Sequence, residues 1–375
     1  MLIPRKYSDL SRYMHENKVL LIYGPRQVGK TTLVNEYLKT CKLRFRIESG
    51  DNVQIRHLLS SEDFAQIRTF AEGYELIIID EAQRIPGAGQ GLKILVDQIP
   101  HLKVIATGSS SFALAGQVGE PLTGRKSTLN LFPVSQMELS KLRNKFEMTE
   151  QLEQSLLYGG YPEVINSKKA EDKQKLLGEI VGSYLLKDIL ELERVKGSKV
   201  LLDLLRLIAF QIGSEVSMSE LAKQLGVDGK TVARYLDLFE KSFVLYNVRG
   251  FSKNLREEIV NKGKYFFYDN GVRNSVISNF NKLEMRNDIG QLWENFLFME
   301  RMKKRVYSGI IANIYFWRTW DQKEIDLIEE REGRLFGYEF KWKKTRVSPP
   351  RKWRETYPDS EFNVITKENY LDFVI

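Results

Sequence analysis

Eight consecutive residues, Gly24-Pro25-Arg26-Gln27-Val28-Gly29-Lys30-Thr31, have the spacing G-x-x-x-x-G-K-[ST]. The glycines let a backbone loop curl so that its N–H groups converge on phosphate oxygens. A helix starting near Lys30 adds its positive N-terminal end. Lys30 is expected to reach the β- and γ-phosphates of ATP, and the Thr31 hydroxyl to ligate Mg²⁺, with Thr32 closing the cofactor-binding stretch. Further on, Leu76-Ile-Ile-Ile79 runs straight into Asp80 and Glu81. A buried strand ending in two acids needs a cation nearby, because unpaired buried charge is costly. Asp80 is the expected acid on the Mg²⁺ side, and Glu81 the expected catalytic base that orients the attacking water. Thr107, in Thr107-Gly-Ser-Ser-Ser111, offers a hydroxyl to the γ-phosphate or that water, with Ser109 as second choice. A Ser-rich turn without a role is the alternative. Arg125 is a candidate charge-stabilising catalytic arginine, acting in cis or from a neighbouring subunit; a plain surface arginine is the alternative.

A second constellation lies in the last hundred residues: Glu294, Asp326, Glu339 and Lys341. Glu294 falls on a helix beginning near Ile289. Ile325-Asp-Leu-Ile328 and Gly337-Tyr-Glu-Phe-Lys341 read as two strands joined by the turn Arg331-Glu-Gly-Arg334. With Glu332-Gly333 as the central turn residues, Asp326 falls opposite Glu339, their Cβ atoms about 5 Å apart. Lys341, two residues on, shares that face. Carboxylates directly opposite one another destabilise a sheet unless a cation or proton lies between them. A surface ion-pair ladder is the alternative.

Between the two constellations, Ser217-Met-Ser-Glu220 has capping-box spacing, and Leu221, Ala222 and Leu225 give that helix an apolar face. Gly226 ends it and Asp228 caps the next, where Val232, Tyr235, Leu236 and Phe239 recur at helical spacing. Two short helices joined by a Gly-containing turn fit a helix-turn-helix. Lys230, Thr231 and Arg234 are then the expected DNA-facing residues, and Phe243–Tyr246 and Tyr265–Tyr268 the strands of a wing. A packing module without nucleic-acid contact is the alternative.

These residues need elements to hold them. Lys18–Tyr23, Glu75–Asp80 and Lys103–Thr107 read as buried strands, with helical stretches at Thr31–Lys39 and Leu92–Ile99. Strands alternating with helices imply a parallel sheet covered on both faces. From about Leu139 the texture becomes mainly helical, broken by Tyr158-Gly-Gly-Tyr-Pro162. A long helix runs from Ile289 to about Val306, followed by short strands rich in aromatic residues.

Composition sets outer bounds. With 375 residues, of which 42% are apolar and 28% charged, the chain can bury cores in two or three domains. A net charge of +8 suits a phosphate-bearing partner such as DNA, or a basic surface of solvated lysines. Basic residues concentrate near the end: Arg301, Lys303, Lys304 and Arg305, then Lys343, Lys344, Arg346, Arg351, Lys352 and Arg354, with Trp317, Trp320, Trp342 and Trp353 among them. The single cysteine, Cys41, excludes a disulfide within the chain, and His15, His57 and His101 are scattered. No apolar run approaches a membrane helix, and Met1–Lys18 is polar and mixed in charge, unlike a secretory signal. The expected location is the cytoplasm, with no membrane partner.

Ile3-Pro4-Arg5, the Gly24–Thr32 loop, Asp80-Glu-Ala-Gln-Arg84, Thr107-Gly-Ser-Ser110 and Gly124-Arg125 together resemble a group of bacterial and archaeal AAA-type P-loop ATPases. These carry a winged-helix segment and a C-terminal domain similar to PD-(D/E)xK restriction endonucleases. The resemblance implies an α/β fold: a P-loop parallel-sheet AAA-type core at 1–140, a helical lid-like segment at 141–198, a winged helix-turn-helix at 199–270 and a restriction-endonuclease-like α/β domain at 271–375. It further implies that Asp326 and Glu339 bind Mg²⁺ or Mn²⁺, that catalytic Lys341 positions or activates water, and that Glu294 completes the metal site. The expected function is ATP hydrolysis gating DNA binding or cleavage. The alternative is an ATP-driven switch or scaffold whose nuclease-like domain only binds nucleic acid or protein. A homo-oligomer follows if Arg125 acts in trans.

Overall fold

In the first parallel sheet the three central strands are apolar on both sides because helices cover both faces, while the two edge strands are more polar and more exposed. The computed structural model describes residues 1–109, 121–185, 198–251, 263–319, 321–343, 345 and 347–375. Ser110, Ser111, Trp320, Lys344 and Arg346 lie outside the described residues.

β1 (Val19–Tyr23) feeds the glycine loop, which opens into α1 (Lys30–Leu38). There follow β2 (Phe45–Ser49), α2 (Val53–Ser60), α3 (Phe64–Ala71), β3 (Leu76–Asp80), α4 (Ala88–Gln98), β4 (Lys103–Gly108) and β5 (Lys126–Asn130). The sheet order is β2-β3-β4-β1-β5, with every pairing parallel. Along β1, Leu20 and Ile22 enter one core, while Val19, Leu21 and Tyr23 enter another beneath α2, α3 and α4. This two-sided burial explains the unbroken apolar runs seen in the sequence. Because all strands point the same way, their C-terminal ends gather at one edge, where the glycine loop, Asp80 and Thr107 meet.

Short helices follow: α5 (Gln136–Leu139), α6 (Lys145–Glu150), α7 (Leu152–Tyr158), α8 (Pro162–Asn166) and α9 (Ala170–Glu179). Gly159 ends α7 and Pro162 opens α8 at its first turn, where a missing N–H is harmless. α10 (Ser198–Phe210), α11 (Met218–Leu225) and α12 (Gly229–Lys241) then lead to the antiparallel pair β6 (Leu245–Gly250) and β7 (Lys264–Phe267). Ser217 and Asp228 cap α11 and α12, and Gly226 closes α11 in the left-handed region.

After α13 (Asn270–Val276), the long α14 (Ile289–Ser308) crosses the molecule. β8 (Asn313–Arg318), β9 (Glu324–Arg331), β10 (Arg334–Phe340), α15 (Arg351–Thr356), β11 (Glu361–Ile365) and α16 (Tyr370–Val374) complete the chain. The second sheet has the order β11-β10-β9-β8-β6-β7. The hairpin expected as a wing is therefore not a separate element: β6 pairs in parallel with β8 through Arg249–Tyr315 and Gly250–Phe316. One continuous core runs from Ile3 to Val374. Among the described residues no helix is long and apolar enough to cross a membrane.

Candidate nucleotide site and C-terminal carboxylate cluster

The glycine loop leaves β1 beside the chain segment that follows β5. Leu131 N donates to Tyr23 O at 2.7 Å, and a Cβ at position 24 would fall 2.0 Å from Leu131 O, so only glycine fits there. Lys30 folds back across the loop, its Nζ donating to Gly24 O at 2.8 Å and Pro25 O at 2.9 Å. Thr31 Oγ1 lies 3.0 Å from Asp80 Oδ2, which brings a hydroxyl and a carboxylate together as shared ligation of one Mg²⁺ requires. Thr107 Oγ1 donates to the other Asp80 oxygen and accepts from Glu81 N at 3.2 Å. Gln83 Nε2 donates to Glu81 Oε2, a partner the sequence reading did not assign. A cleft of about 900 Å³ opens here, lined by Arg26–Thr32, Glu81, the first residues of the chain, and Pro162, Glu163 and Asn166 of α8. The residues expected for the nucleotide, Gly24, Pro25, Arg26, Gln27, Val28, Gly29, Lys30, Thr31, Thr32, Asp80, Glu81 and Thr107, thus gather around one edge of the sheet, and they fit a nucleotide with its Mg²⁺.

Arg5 braces this loop from behind. Its guanidinium donates to Val28 O and Phe132 O, both at 2.5 Å, and to Glu138 Oε1 at 2.9 Å. Glu138 is itself fully buried and its other oxygen accepts from Ser135 N and Oγ. One planar fork satisfying three acceptors is an arginine property. Nothing in the local spacing around Arg5 signals it, because its partners lie 23, 127 and 133 residues away.

Arg125 does not join the site in cis. Val19 N donates to Arg125 O at 2.8 Å, so Arg125 sits where β1 begins, whereas the loop leaves where β1 ends. The sheet is parallel, so the start of β5 lies at the edge opposite the nucleotide. There Arg125 Nε pairs with Asp97 at 2.6 Å.

The C-terminal hairpin has the expected register. Arg331 pairs with Arg334 and Leu327 with Tyr338, with Glu332 and Gly333 at φ 49° and 75° in the turn. Two left-handed residues in a two-residue loop match the strand twist. The described ladder ends at Leu327–Tyr338, and just beyond it Phe340 N donates to Asp326 Oδ2 at 2.7 Å. Lys341 Nζ pairs with Glu339 Oε1 at 2.7 Å. Glu294 reaches in from α14.

Two further residues enter the cluster. Glu324 lies two residues before Asp326 on the same face of β9, a spacing legible in the sequence. Glu294, Glu324 and Asp326 each bring one oxygen within 4.8 Å of the others. Lys264, from β7, has no local sequence signal. Its ammonium pairs with Glu324 and lies 3.4 Å from Glu294 Oε1. Burial, then the Glu294 and Glu339 charges, push Asp326 well above the ordinary aspartate value. Burial raises Glu294 too, with Lys264 opposing. Burial alone would lower Lys264, but Glu294, Glu324 and Asp326 outweigh it and hold the ammonium above its usual range.

The basic surface is smaller than the sequence suggests. Arg301 is buried in a two-pronged pair with Glu329, both contacts at 2.8 Å, and Lys303 is buried against Glu300 at 2.7 Å. Lys304 and Arg305 donate to the carbonyls of Phe373 and Ala312. α14 packs into the main core through Leu292, Trp293, Phe296 and Met302, so Arg301 and Lys303 face protein rather than solvent. Trp317 and Trp353 are core residues. Lys230 and Arg234 are exposed on α12, but the Thr231 hydroxyl donates to its own cap, Asp228, at 2.8 Å. Lys343, Arg351, Lys352 and Arg354 are exposed.

Residues 16–140 match the family described as AAA domain. Residues 149–283 and 289–370 match two families each described as a domain of unknown function. An uncharacterized protein of Mycobacterium tuberculosis is 28% identical over 358 residues, 93% of this chain and 76% of its own length. Another, from Haemophilus influenzae, is 23% identical over 352 residues, covering 87% of this chain and 83% of that one. Among solved structures, a Pyrococcus horikoshii signal transduction ATPase with numerous domains and a tetratricopeptide repeat sensor has TM-score 0.32 at 16% identity. That alignment covers 81% of this chain, which spans 46% of the Pyrococcus protein. The Thermotoga maritima RuvB Holliday junction branch migration motor has TM-score 0.32 at 20% identity, over 65% of this chain and 87% of that one. The first sheet and its loop are an AAA-type P-loop ATPase domain, whose chemistry is ATP binding and hydrolysis.

Proposed function

We propose that this protein is an ATP-hydrolysing switch that acts on DNA, with its nucleotide state gating the C-terminal nuclease-like domain. One observation carries the reading: α14 contributes to the carboxylate cluster and also holds the segment after β5 that braces the phosphate loop. Its Tyr307 hydroxyl accepts from Phe132 N at 3.2 Å and its Glu300 accepts from Gln136 N at 2.6 Å. Phe132 O is also held by Arg5, the residue that braces the phosphate loop. The same helix carries Glu294 in the carboxylate cluster, about 20 Å away at 1.5 Å per residue. A shift of the loop on ATP binding or hydrolysis thus has a rigid element through which to reach the cluster.

At the nucleotide, Lys30 and the loop hold the phosphates, Thr31 and Asp80 hold Mg²⁺, Thr107 positions Asp80, and Glu81 orients the attacking water. DNA contact is read from α10, α11, α12 and the β6–β7 hairpin, joined by a bridge between Glu215 and Lys264, as a winged helix. Lys230 and Arg234 then face the duplex. In the cluster, Glu294, Asp326 and Glu339 with Glu324 are the candidate ligands of Mg²⁺ or Mn²⁺. A metal bound there would polarise a phosphate, and Lys341 would hold the water.

The test is incubation of supercoiled plasmid with wild type and Lys341→Ala, in Mg²⁺ or Mn²⁺, with and without ATP. Cleavage by wild type alone supports the reading, and its ATP dependence gives the direction of gating. Cleavage that survives Lys341→Ala places the chemistry elsewhere. A second reading, an ATP-driven scaffold with an inert cluster, is favoured by Lys264 lying among the carboxylates. Absence of cleavage in every condition, with ATP hydrolysis intact, selects it.

A further inference from the structure

Lys264 belongs to β7, outside the β9–β10 hairpin and α14 that supply the carboxylates. Only 1% of it is exposed. Its ammonium contacts Glu324 and Glu294 and lies 5.1 Å from the centre of the Phe316 ring. These are two of the three carboxylates whose oxygens converge within 4.8 Å. A second observation is an unpartnered buried carboxylate oxygen beside the cluster. Glu339 is 8% exposed, and while Lys341 takes its Oε1, its Oε2 is buried without a hydrogen-bond partner among the described residues. Among the described residues, the carboxylates of Glu294, Glu324, Asp326 and Glu339 thus lie within each other's field together with Lys264 and Lys341.

The segment that brings Lys264 also covers the site. Lys264 bridges to Glu215, and Val216 N donates to Gly263 O at 2.9 Å. Two residues before Glu215, Gly213 lies against Glu294, where a Cβ would come within 2.9 Å of Oε2. Asn295, next to Glu294 on α14, clamps the same strand: Phe267 N donates to Asn295 Oδ1 at 2.7 Å and Asn295 Nδ2 donates to Phe267 O at 3.0 Å.

A hard divalent ion needs these carboxylate oxygens at about 2.0–2.6 Å. An ion so bound by Glu294 and Glu324 would sit where the ammonium sits, and two cations repel at that separation. We propose that Lys264 is a tethered competitor for divalent metal: the ammonium and a Mn²⁺ or Mg²⁺ ion are alternative occupants of the Glu294–Glu324–Asp326 cluster, and loading requires Lys264 to leave. This rests on reading the cluster as a metal site. It assigns the residue that decides between a metal-loaded domain and a metal-free one, and ties that choice to the segment carrying β7.

The experiment measures Mn²⁺ binding to the full-length protein without nucleotide, by the electron paramagnetic resonance signal of free Mn²⁺. Wild type is compared with Lys264→Met and with Lys264→Met combined with Asp326→Asn. Lys264→Met is expected to bind Mn²⁺ about tenfold more tightly or better, and the added Asp326→Asn to remove that gain. Equal tight binding by wild type and Lys264→Met overturns the competition but leaves the metal site standing. No binding by either overturns both. Should Lys264→Met fail to fold, acetylation of Lys264 in wild type, read by mass spectrometry, takes its place. Lys264 is expected to resist acetylation alone and to become reactive with saturating Mn²⁺; unchanged reactivity overturns the proposal.

Discussion

Arg5 and Glu138 form an ion pair of 2.9 Å across 133 residues of chain, with both side chains buried. The pair joins the back of the phosphate loop to the first helix after the nucleotide-binding sheet. Arg5→Ala leaves Glu138 buried without its cation and releases two carbonyls. Breaking a buried pair from one side costs about 3–5 kcal/mol. Urea unfolding should show a loss of that size, accompanied by weaker ATP binding. A loss below about 1 kcal/mol would mean that water relaxes into the gap and the brace is dispensable.

Lys30 and Glu81 separate binding from turnover. Lys30→Ala is expected to abolish tight nucleotide binding, measured with a fluorescent ATP analogue. Glu81→Gln keeps the loop intact and should bind ATP while hydrolysing it about 10²–10⁴-fold more slowly. Normal turnover in either variant sinks the assigned roles.

Arg125 pairs with Asp97 at the far edge of the sheet, half-exposed to solvent. Arg125→Ala is expected to leave ATP turnover within about twofold of wild type at low protein concentration, and to cost about 0–1 kcal/mol of stability. A collapse of turnover of about 10³-fold that appears only when subunits associate would place Arg125 at a neighbour's nucleotide instead.

Glu240, on α12 behind the β6–β7 hairpin, titrates at about 7, raised by burial and then by the Asp237 charge, with Asn247, Arg249 and Lys241 opposing. Its folded-state value lies above the unfolded one, so the folded protein holds the proton more tightly. That contribution is complete below about pH 4.5 and is lost as pH rises through about 7. Glu240→Gln cannot ionise. It should gain on wild type between pH 5 and pH 8, by about 1–2 kcal/mol once partial solvent access is discounted. Thermal unfolding at the two pH values checks this; a constant difference would remove Glu240 as the source.

Some of this was legible because its cause is local. The loop Gly24–Thr31 needs only its own spacing and flanking elements. The hairpin register follows from Glu332 and Gly333, whose left-handed backbone sets which residues face each other all the way to Leu327 and Tyr338. The caps Ser217 and Asp228 act within three residues of themselves. Glu324 could have been found the same way, two positions before Asp326.

What the tertiary structure decided involves partners far apart in the chain. Arg301 and Lys303 look like a basic surface in sequence, and only the packing of α14 into the main core turns them inward to Glu329 and Glu300. Arg125 follows a plausible motif, yet the parallel direction of β5 puts it at the wrong end of the sheet. Lys264 reaches the carboxylates because β6 joins β8 edge to edge, a pairing between segments 66 positions apart. Periodicity and turn chemistry act over a few residues and are written in the sequence. Charge pairing across the fold depends on which surfaces are buried against each other, and packing alone settles that.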